Sequence, residues 1–266
     1  MTVLWSEDDS NGRQIPEQRR REILAAVERR QRVTVDELAA SLRVSKETIR
    51  RDLTLLSERG LLRKVHGGAM NVQTAAESTF GKRVRLQRAE KQAIAARAAA
   101  LFEPGDSLFV DAGSTTAVFA SELARRSGLT VITNSVEVAA RVWGGGSDNE
   151  VYLLGGRYDG EVSETLGPLL LELVGRFRAD HAVLTVGAVD PTQGFMDYNV
   201  DEATVAQAMI RQARSVTVLA DHTKLGRAAL VKVCDAEAVA RLVTDSPPEA
   251  ELQSLLDRAG VETVVA

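Results

Sequence analysis

Four short clusters carry residues able to bind an anion: Asp111-Ala112-Gly113-Ser114-Thr115-Thr116, Thr133-Asn134-Ser135, Gly155-Gly156-Arg157 and Asp221-His222-Thr223-Lys224. Each ends an apolar run. Gly113 lets the backbone turn, and hydroxyls followed by helix N–H groups suit a phosphate. Asp221 and Lys224 put a carboxylate and an ammonium at a further run end, and Glu202 opens the helix before it. A second group lies in Ser45-Lys46-Glu47-Thr48-Ile49-Arg50-Arg51. Arg51 can bind guanine in a bidentate way and Thr48 can touch a thymine methyl. Ser45, Lys46 and Arg50 are better placed for phosphates. Arg63, Lys64 and His66 follow in a basic extended segment able to grip a nucleic-acid backbone beside the groove.

Each cluster also has a plain structural reading. Hydroxyl N-caps after strands are routine, and a Lys three residues from an Asp is a surface pair worth little. Glu47 and Arg51, four apart, can pair on a solvated helix face. Convergence of the four clusters on one sheet edge, and the full order of elements around Arg51, outweigh those readings.

Those elements are legible. Ile23, Leu24 and Val27 recur at helical spacing between Glu17 and Arg30. Thr34 is placed to cap a helix carrying Leu38, Ala39 and Leu42; Arg43-Val44 is a turn; Ser45 caps a third helix. On that helix Ile49, Leu53 and Leu56 fall within roughly 60° of one another and face a core, leaving Glu47, Thr48 and Arg51 outward near its N-terminus. Recognition helices contact base edges through their N-terminal residues. The helix ends near Gly60, and residues 61–66 form a short strand closed by Gly67-Gly68. Residues 69–82 are small and polar and read as linker; Lys82 to about Leu101 is helical. Apolar runs at 107–113, 129–134, 150–156, 181–187 and 215–221 then alternate with helical segments, which predicts a parallel, doubly wound sheet. Ligands of such sheets bind at the carboxyl ends of the strands.

Charge divides the chain in the same way. Residues 13–70 hold 14 Lys/Arg against 8 Asp/Glu; residues 71–266 hold 19 against 26. A basic head on an acidic body places nucleic acid at one end and something else at the other. Cys234 is the one cysteine, which excludes an intrachain disulfide and a cysteine-rich zinc module. No apolar run approaches 18 residues, and no signal peptide is evident, so a cytoplasmic protein with no membrane partner is expected. The domains expected are a disordered tail (1–14), a DNA-binding domain (15–70), a linker (71–90) and a larger α/β domain (91–266).

The string VTVDELAASLRVSKETIRRDLTLLSERGLLRKVHGGA resembles the N-terminal winged helix-turn-helix of DeoR-type bacterial regulators. Residues 91–245 resemble the sensor domain of that family, through D-x-G-S-T, T-N-S, G-G and D-x-T-K-L-G. The resemblance implies a fold shared with ribose-5-phosphate isomerase. It also implies a DNA operator as partner, contacted through Ser45, Lys46, Thr48, Arg50, Arg51, Arg63, Lys64 and His66. A phosphorylated sugar is the implied effector, held by Asp111, Gly113, Ser114, Thr115, Thr116, Thr133, Asn134, Ser135, Gly155, Gly156, Glu202, Asp221 and Lys224. Val183 stands where the family commonly has phenylalanine, and D-H-T-K-L stands for D-x-S-K-F.

The expectation is therefore a repressor of carbohydrate-metabolism genes, a homodimer or homotetramer, with no cofactor, metal or catalytic residue assigned. The alternative is a sugar-phosphate isomerase with an appended DNA-binding head, using Asp111, Glu202, Asp221 and Lys224 as acid, base and stabiliser. A third reading, an architectural DNA binder with no effector, leaves the strand-end residues without a purpose.

Overall fold

The computed structural model describes residues 16–30, 32–58, 61–65, 67–71 and 80–266. It separates into two units divided after Ala75. The tail expected at 1–14, and His66, lie outside the described residues.

In the first unit, α1 (Pro16–Arg30) leads into β1 (Arg32–Thr34), α2 (Val35–Leu42) and α3 (Lys46–Glu58). Thr34 and Glu37 form a reciprocal capping box at the start of α2, and Arg43 closes α2 in the left-handed conformation, φ 51°. Ser45 Oγ accepts the Thr48 amide at 3.1 Å, capping α3. Ile49, Leu53 and Leu56 are buried with Ile23, Val27, Val33 and Leu38, the face that the spacing predicts.

The wing is larger than its sequence suggests. β2 (Leu62–Val65) and β3 (Gly68–Asn71) form a hairpin, and β1 pairs with the far side of β3. Ala69–Asn71, read above as the start of a linker, are strand. The three residues AMN are too few to show an alternation, so pairing rather than pattern defines them. The linker expected over 71–90 needs correcting in the same way. Residues 72–79 lie outside the described residues, but α4 (Phe80–Arg85) and α5 (Arg88–Ala99) fill the rest. The single helix expected from Lys82 is interrupted at Gln87, whose φ is 49°.

The second unit is built on a seven-stranded sheet. Its strands are β4 (Ser107–Val110), β5 (Thr130–Thr133), β6 (Glu150–Leu153), β9 (Ala179–Thr185), β12 (Ala213–Leu219), β14 (Arg241–Thr244) and β15 (Glu262–Val265). They lie in the spatial order β6-β5-β4-β9-β12-β14-β15, and each paired neighbour is parallel. Between them run α6 (Ser114–Leu123), α7 (Val136–Gly144), α8 (Pro168–Val174), α9 (Val200–Gln212) and α10 (Ala250–Ala259). Two hairpins are inserted: β7 (Arg157–Asp159) with β8 (Glu164–Leu166), and β10 (Ala188–Asp190) with β11 (Gly194–Asp197). β13 (Val231–Cys234) adds to β11.

The central strands of the sheet are apolar on both faces because helices cover both. Leu108, Val110 and Val183 pack into one core cluster, while Phe109, Ala182 and Leu184 point into the other. The doubly wound expectation is what is found, with two strands more than the apolar runs indicated. RLVT and ETVV, each opened by a charged residue, are not among those runs. After β4 the chain winds outward to β5 and β6; it then returns to β9 and winds the other way. The order reverses between β4 and β9, which opens a crevice at their carboxyl ends.

Candidate nucleic-acid interface and switch-point pocket

Recognition helix α3 is fixed from behind and open in front. Asp52, 3% exposed, accepts Arg19 Nε at 2.6 Å and Arg20 Nε at 2.9 Å. The buried Asp52 carboxylate thus ties α3 to α1, and nothing in the residue types of IRRDL distinguishes Asp52 from a surface acid before its register is known. On the opposite face Lys46, Glu47, Arg50 and Arg51 are exposed, Arg51 most at 81% of its side chain. Glu47 lies 3.4 Å from Arg51 and 3.7 Å from Arg50, and Lys46 is 2.9 Å from Asp36. Such exposed pairs are worth under about 1 kcal/mol and exchange readily for a phosphate or a base edge. Thr48 is half-buried, its hydroxyl 2.9 Å from Ser45 Oγ. Lys64 of the wing donates to Thr54 Oγ1 at 2.8 Å, so the hairpin is docked on α3. Arg63 sits in β2 opposite Met70.

The second site is the crevice itself. A cleft of about 290 Å³, counting its open mouth, is lined by Asp111 and Ala112 after β4, Asn134 after β5 and Thr185 at the end of β9. Glu164 of β8, Asp197 of β11, and Glu202, Val205 and Ala206 of α9 complete it. Asp111 Oδ2 accepts the Thr185 amide at 2.9 Å, bridging the two strands at the switch point. Asn134 Nδ2 donates to Glu164 Oε2 and to the Thr165 carbonyl, both at 3.1 Å. Asp197 accepts the amides of Tyr198 and Asn199, and Glu202 accepts from Asn199 Nδ2.

Four carboxylates line this small space, and two of them are shifted by burial and by their neighbours. Burial pushes the Glu164 carboxyl up to about 8, with Glu202 adding repulsion and the Asn134 amide opposing it. Burial also holds Asp111 well above the usual carboxylate range, against the Thr185 amide, with Asp197, Glu164 and Glu202 adding to the rise. Helix α6 starts beside Asp111, and its N-cap, Gly113, makes no side-chain capping bond. A Cβ on Gly113 would lie 2.3 Å from Thr185 Oγ1, so only glycine lets the end of β4 approach β9 this closely.

Residues 86–246 match the DeoR C terminal sensor domain, and residues 19–75 match the DeoR-like helix-turn-helix domain. The chain belongs to the DeoR family of transcriptional regulators. It is 35% identical over 244 residues to the HTH-type transcriptional repressor CsqR of Escherichia coli, covering 92% of this chain and 93% of that protein. It is 33% identical to the Glycerol-3-phosphate regulon repressor of Haemophilus influenzae, over 87% of this chain and 90% of that one. It is also 33% identical to the HTH-type transcriptional repressor GlcR of Bacillus subtilis, over 91% and 93%. Among solved structures, ribose 5-phosphate isomerase A of Methanocaldococcus jannaschii aligns at 19% identity over 51% of this chain and 53% of that chain, with a TM-score of 0.38.

Within this DeoR-family sensor unit, Asp111, Asn134 and Glu202 of the expected effector residues line the cleft, and Gly113 to Thr116 adjoin it. Others are occupied in holding elements together. Thr133 Oγ1 accepts the Ser135 amide, and Ser135 Oγ caps α7 through the Val138 amide. A Cβ on Gly156 would lie 2.7 Å from the Leu166 carbonyl, so close packing of β7 on β8 explains that glycine; Gly155 is beside it, outside the cleft lining. Asp221 caps the turn His222–Lys224 through Thr223, and neither Asp221 nor Lys224 is in the cleft lining. His222 Nδ1 is 2.6 Å from Asp245 Oδ2, at the end of β14. Conversely, Thr185, Glu164 and Asp197 are in the lining and were not expected from sequence. Among the described residues, no group of three or more His, Cys, Asp or Glu is arranged to hold a metal ion, and no helix is long and apolar enough to cross a membrane.

Proposed function

We propose that the protein is a repressor whose grip on a double-stranded DNA operator is set by a phosphorylated sugar bound in the switch-point cleft. One observation carries this: a winged helix-turn-helix shares its chain with a doubly wound unit whose cleft lies at the reversal of strand order, where such sheets bind ligands. The α6 N-terminus beside that cleft suits the phosphate, with Gly113, Ser114, Thr115 and Thr116 around it. Thr133, Ser135, Gly155, Gly156, Asp221 and Lys224 then act as supports of this crevice or as contacts made when it closes.

On the operator, Arg51 and Thr48 read bases, and Ser45, Lys46, Arg50, Arg63, Lys64 and His66 hold the backbone. One head reads too few base pairs for a genome-scale search, so the working unit is a homodimer or homotetramer. The effector acts by favouring one arrangement of the heads over another, which requires different affinities for the two. Relatives named for repression, and one for a glycerol-3-phosphate regulon, support the reading.

The protein acts as a regulator and not as an enzyme in this reading. A sugar-phosphate isomerase remains the second reading because Glu164, held at about 8, titrates where a general acid–base group works best. A thermal-shift screen against triose, pentose and hexose phosphates tests the first. A ligand at about 100 times its dissociation constant should stabilise the protein by about 2.7 kcal/mol. No shift with any of them counts against it. Turnover of ribose 5-phosphate or fructose 6-phosphate would decide for the second.

A further inference from the structure

The cleft floor holds more hydrogen-bond acceptors than the protein itself uses. Asp111 Oδ2 is taken by the Thr185 amide, but Oδ1 has no partner. Asn134 gives its amide hydrogens to a carboxylate and a carbonyl. Both partners are acceptors, so the amide orientation is fixed and Oδ1 is the atom left over; it too has no partner. Glu164 Oε1 is the third. Asp111, Asn134 and Glu164 are 7%, 1% and 2% exposed, and all three line the same cleft. An unsatisfied buried polar group costs about 1–3 kcal/mol, and native interiors contain few. All three residues line one small space, and their unpartnered oxygens suit a ligand rich in donors.

We propose that Asp111, Asn134 and Glu164 form a donor-reading subsite that takes the polyol end of the effector and rejects a ligand with a carboxylate at that end. The proposal rests on the phosphosugar reading above and adds which phosphosugars fit. Sugar hydroxyls both give and take hydrogens, so they serve the Asp111 and Asn134 oxygens and accept the hydrogen that Glu164 carries at neutral pH. A carboxylate supplies none, and it adds negative charge beside Asp197 and Glu202. Burial raises both the Asp111 and the Glu164 carboxyl, the direction expected of a space that disfavours added negative charge. A protonated Glu164 offers one hydrogen, which cannot serve the leftover oxygens of both Asp111 and Asn134. Polar sites of this kind discriminate strongly, because the wrong ligand leaves buried groups unpaired.

Matched pairs test this by calorimetry on the full chain at neutral pH: glycerol 3-phosphate with 3-phosphoglycerate, ribose 5-phosphate with 5-phosphoribonate, and glucose 6-phosphate with 6-phosphogluconate. The expected result is that in every pair with a binding member the polyol binds at least about tenfold more tightly than its acid. Glu164→Gln, whose amide adds a permanent donor, should narrow that ratio by about tenfold. Acid and polyol binding alike in the wild-type chain overturns the subsite while leaving the phosphosugar reading intact, and it needs no variant to fold. An unchanged ratio in a folded E164Q overturns the role of Glu164. Silence from all six compounds overturns the phosphosugar reading and the subsite with it.

Discussion

Arg51 and Glu164 show how differently two single residues announce themselves. Arg51 is legible: its place on the outward arc of α3 follows from Ile49, Leu53 and Leu56, and its side chain is 81% exposed. Arg51→Ala should weaken operator binding by roughly 1–3 kcal/mol and relax preference at one base pair. A competition assay with operators varied one pair at a time checks this; equal loss on every sequence would make Arg51 a phosphate contact. Glu164 is not legible. It sits in GRYDGEVSETLG, which reads as exposed loop, and its bridge to Ser135, with the bonds between Asn134 and Thr165, brings it to the end of β5. Its carboxyl is raised from 4.5 to about 8, so the folded chain binds an extra proton between those values. The stabilisation is therefore complete below about 4.5 and is lost as pH rises through about 8. Asp111, also raised, acts in the same direction. Melting temperatures of wild-type and E164Q protein from pH 5 to 9 should diverge, with a shallower alkaline decline in E164Q; parallel curves would remove Glu164 from the account.

At the scale of elements, two junctions hold the sites in place. The Asp52 carboxylate joins α3 to α1 through two arginines. Asp52→Ala leaves Arg19 and Arg20 charged against a partly buried surface, and should destabilise the DNA-binding unit by about 3 kcal/mol or more. A separate, earlier melting of that unit, with the sensor unit unchanged, is the expected scan. At the other junction, Gly113→Val pushes a side chain into Thr185 and separates β4 from β9. Overpacking of this kind costs about 1–3 kcal/mol. The variant should lose effector binding while retaining operator binding without effector, measured by calorimetry and anisotropy respectively. Helices were legible because a 3.6-residue period reports a buried face, and central strands because they are continuous apolar runs. The second wing strand, the two last strands of the sheet and the β7–β8 hairpin were not. They owe their structure to pairing partners rather than to any pattern in their own residues.

At the scale of the whole molecule, the charge division anticipates a division of labour: a basic unit for DNA and an acidic one with a cleft at its strand reversal. The position of that cleft was legible from strand alternation alone, since parallel sheets place ligands at their carboxyl ends. Which residues would face it was only partly so. Thr133, Ser135 and Asp221 carry the right chemistry but spend it on caps and turns. Glu164 and Asp197 reach the cleft on hairpins whose folding no local pattern records. The central claim is that ligand in this cleft changes the hold on DNA. Operator affinity of the full chain, followed by fluorescence anisotropy with and without saturating phosphosugar found by thermal shift, tests it most directly. The account expects at least about a tenfold loss of affinity, absent in Gly113→Val. An affinity unchanged by every phosphosugar that demonstrably binds would contradict it.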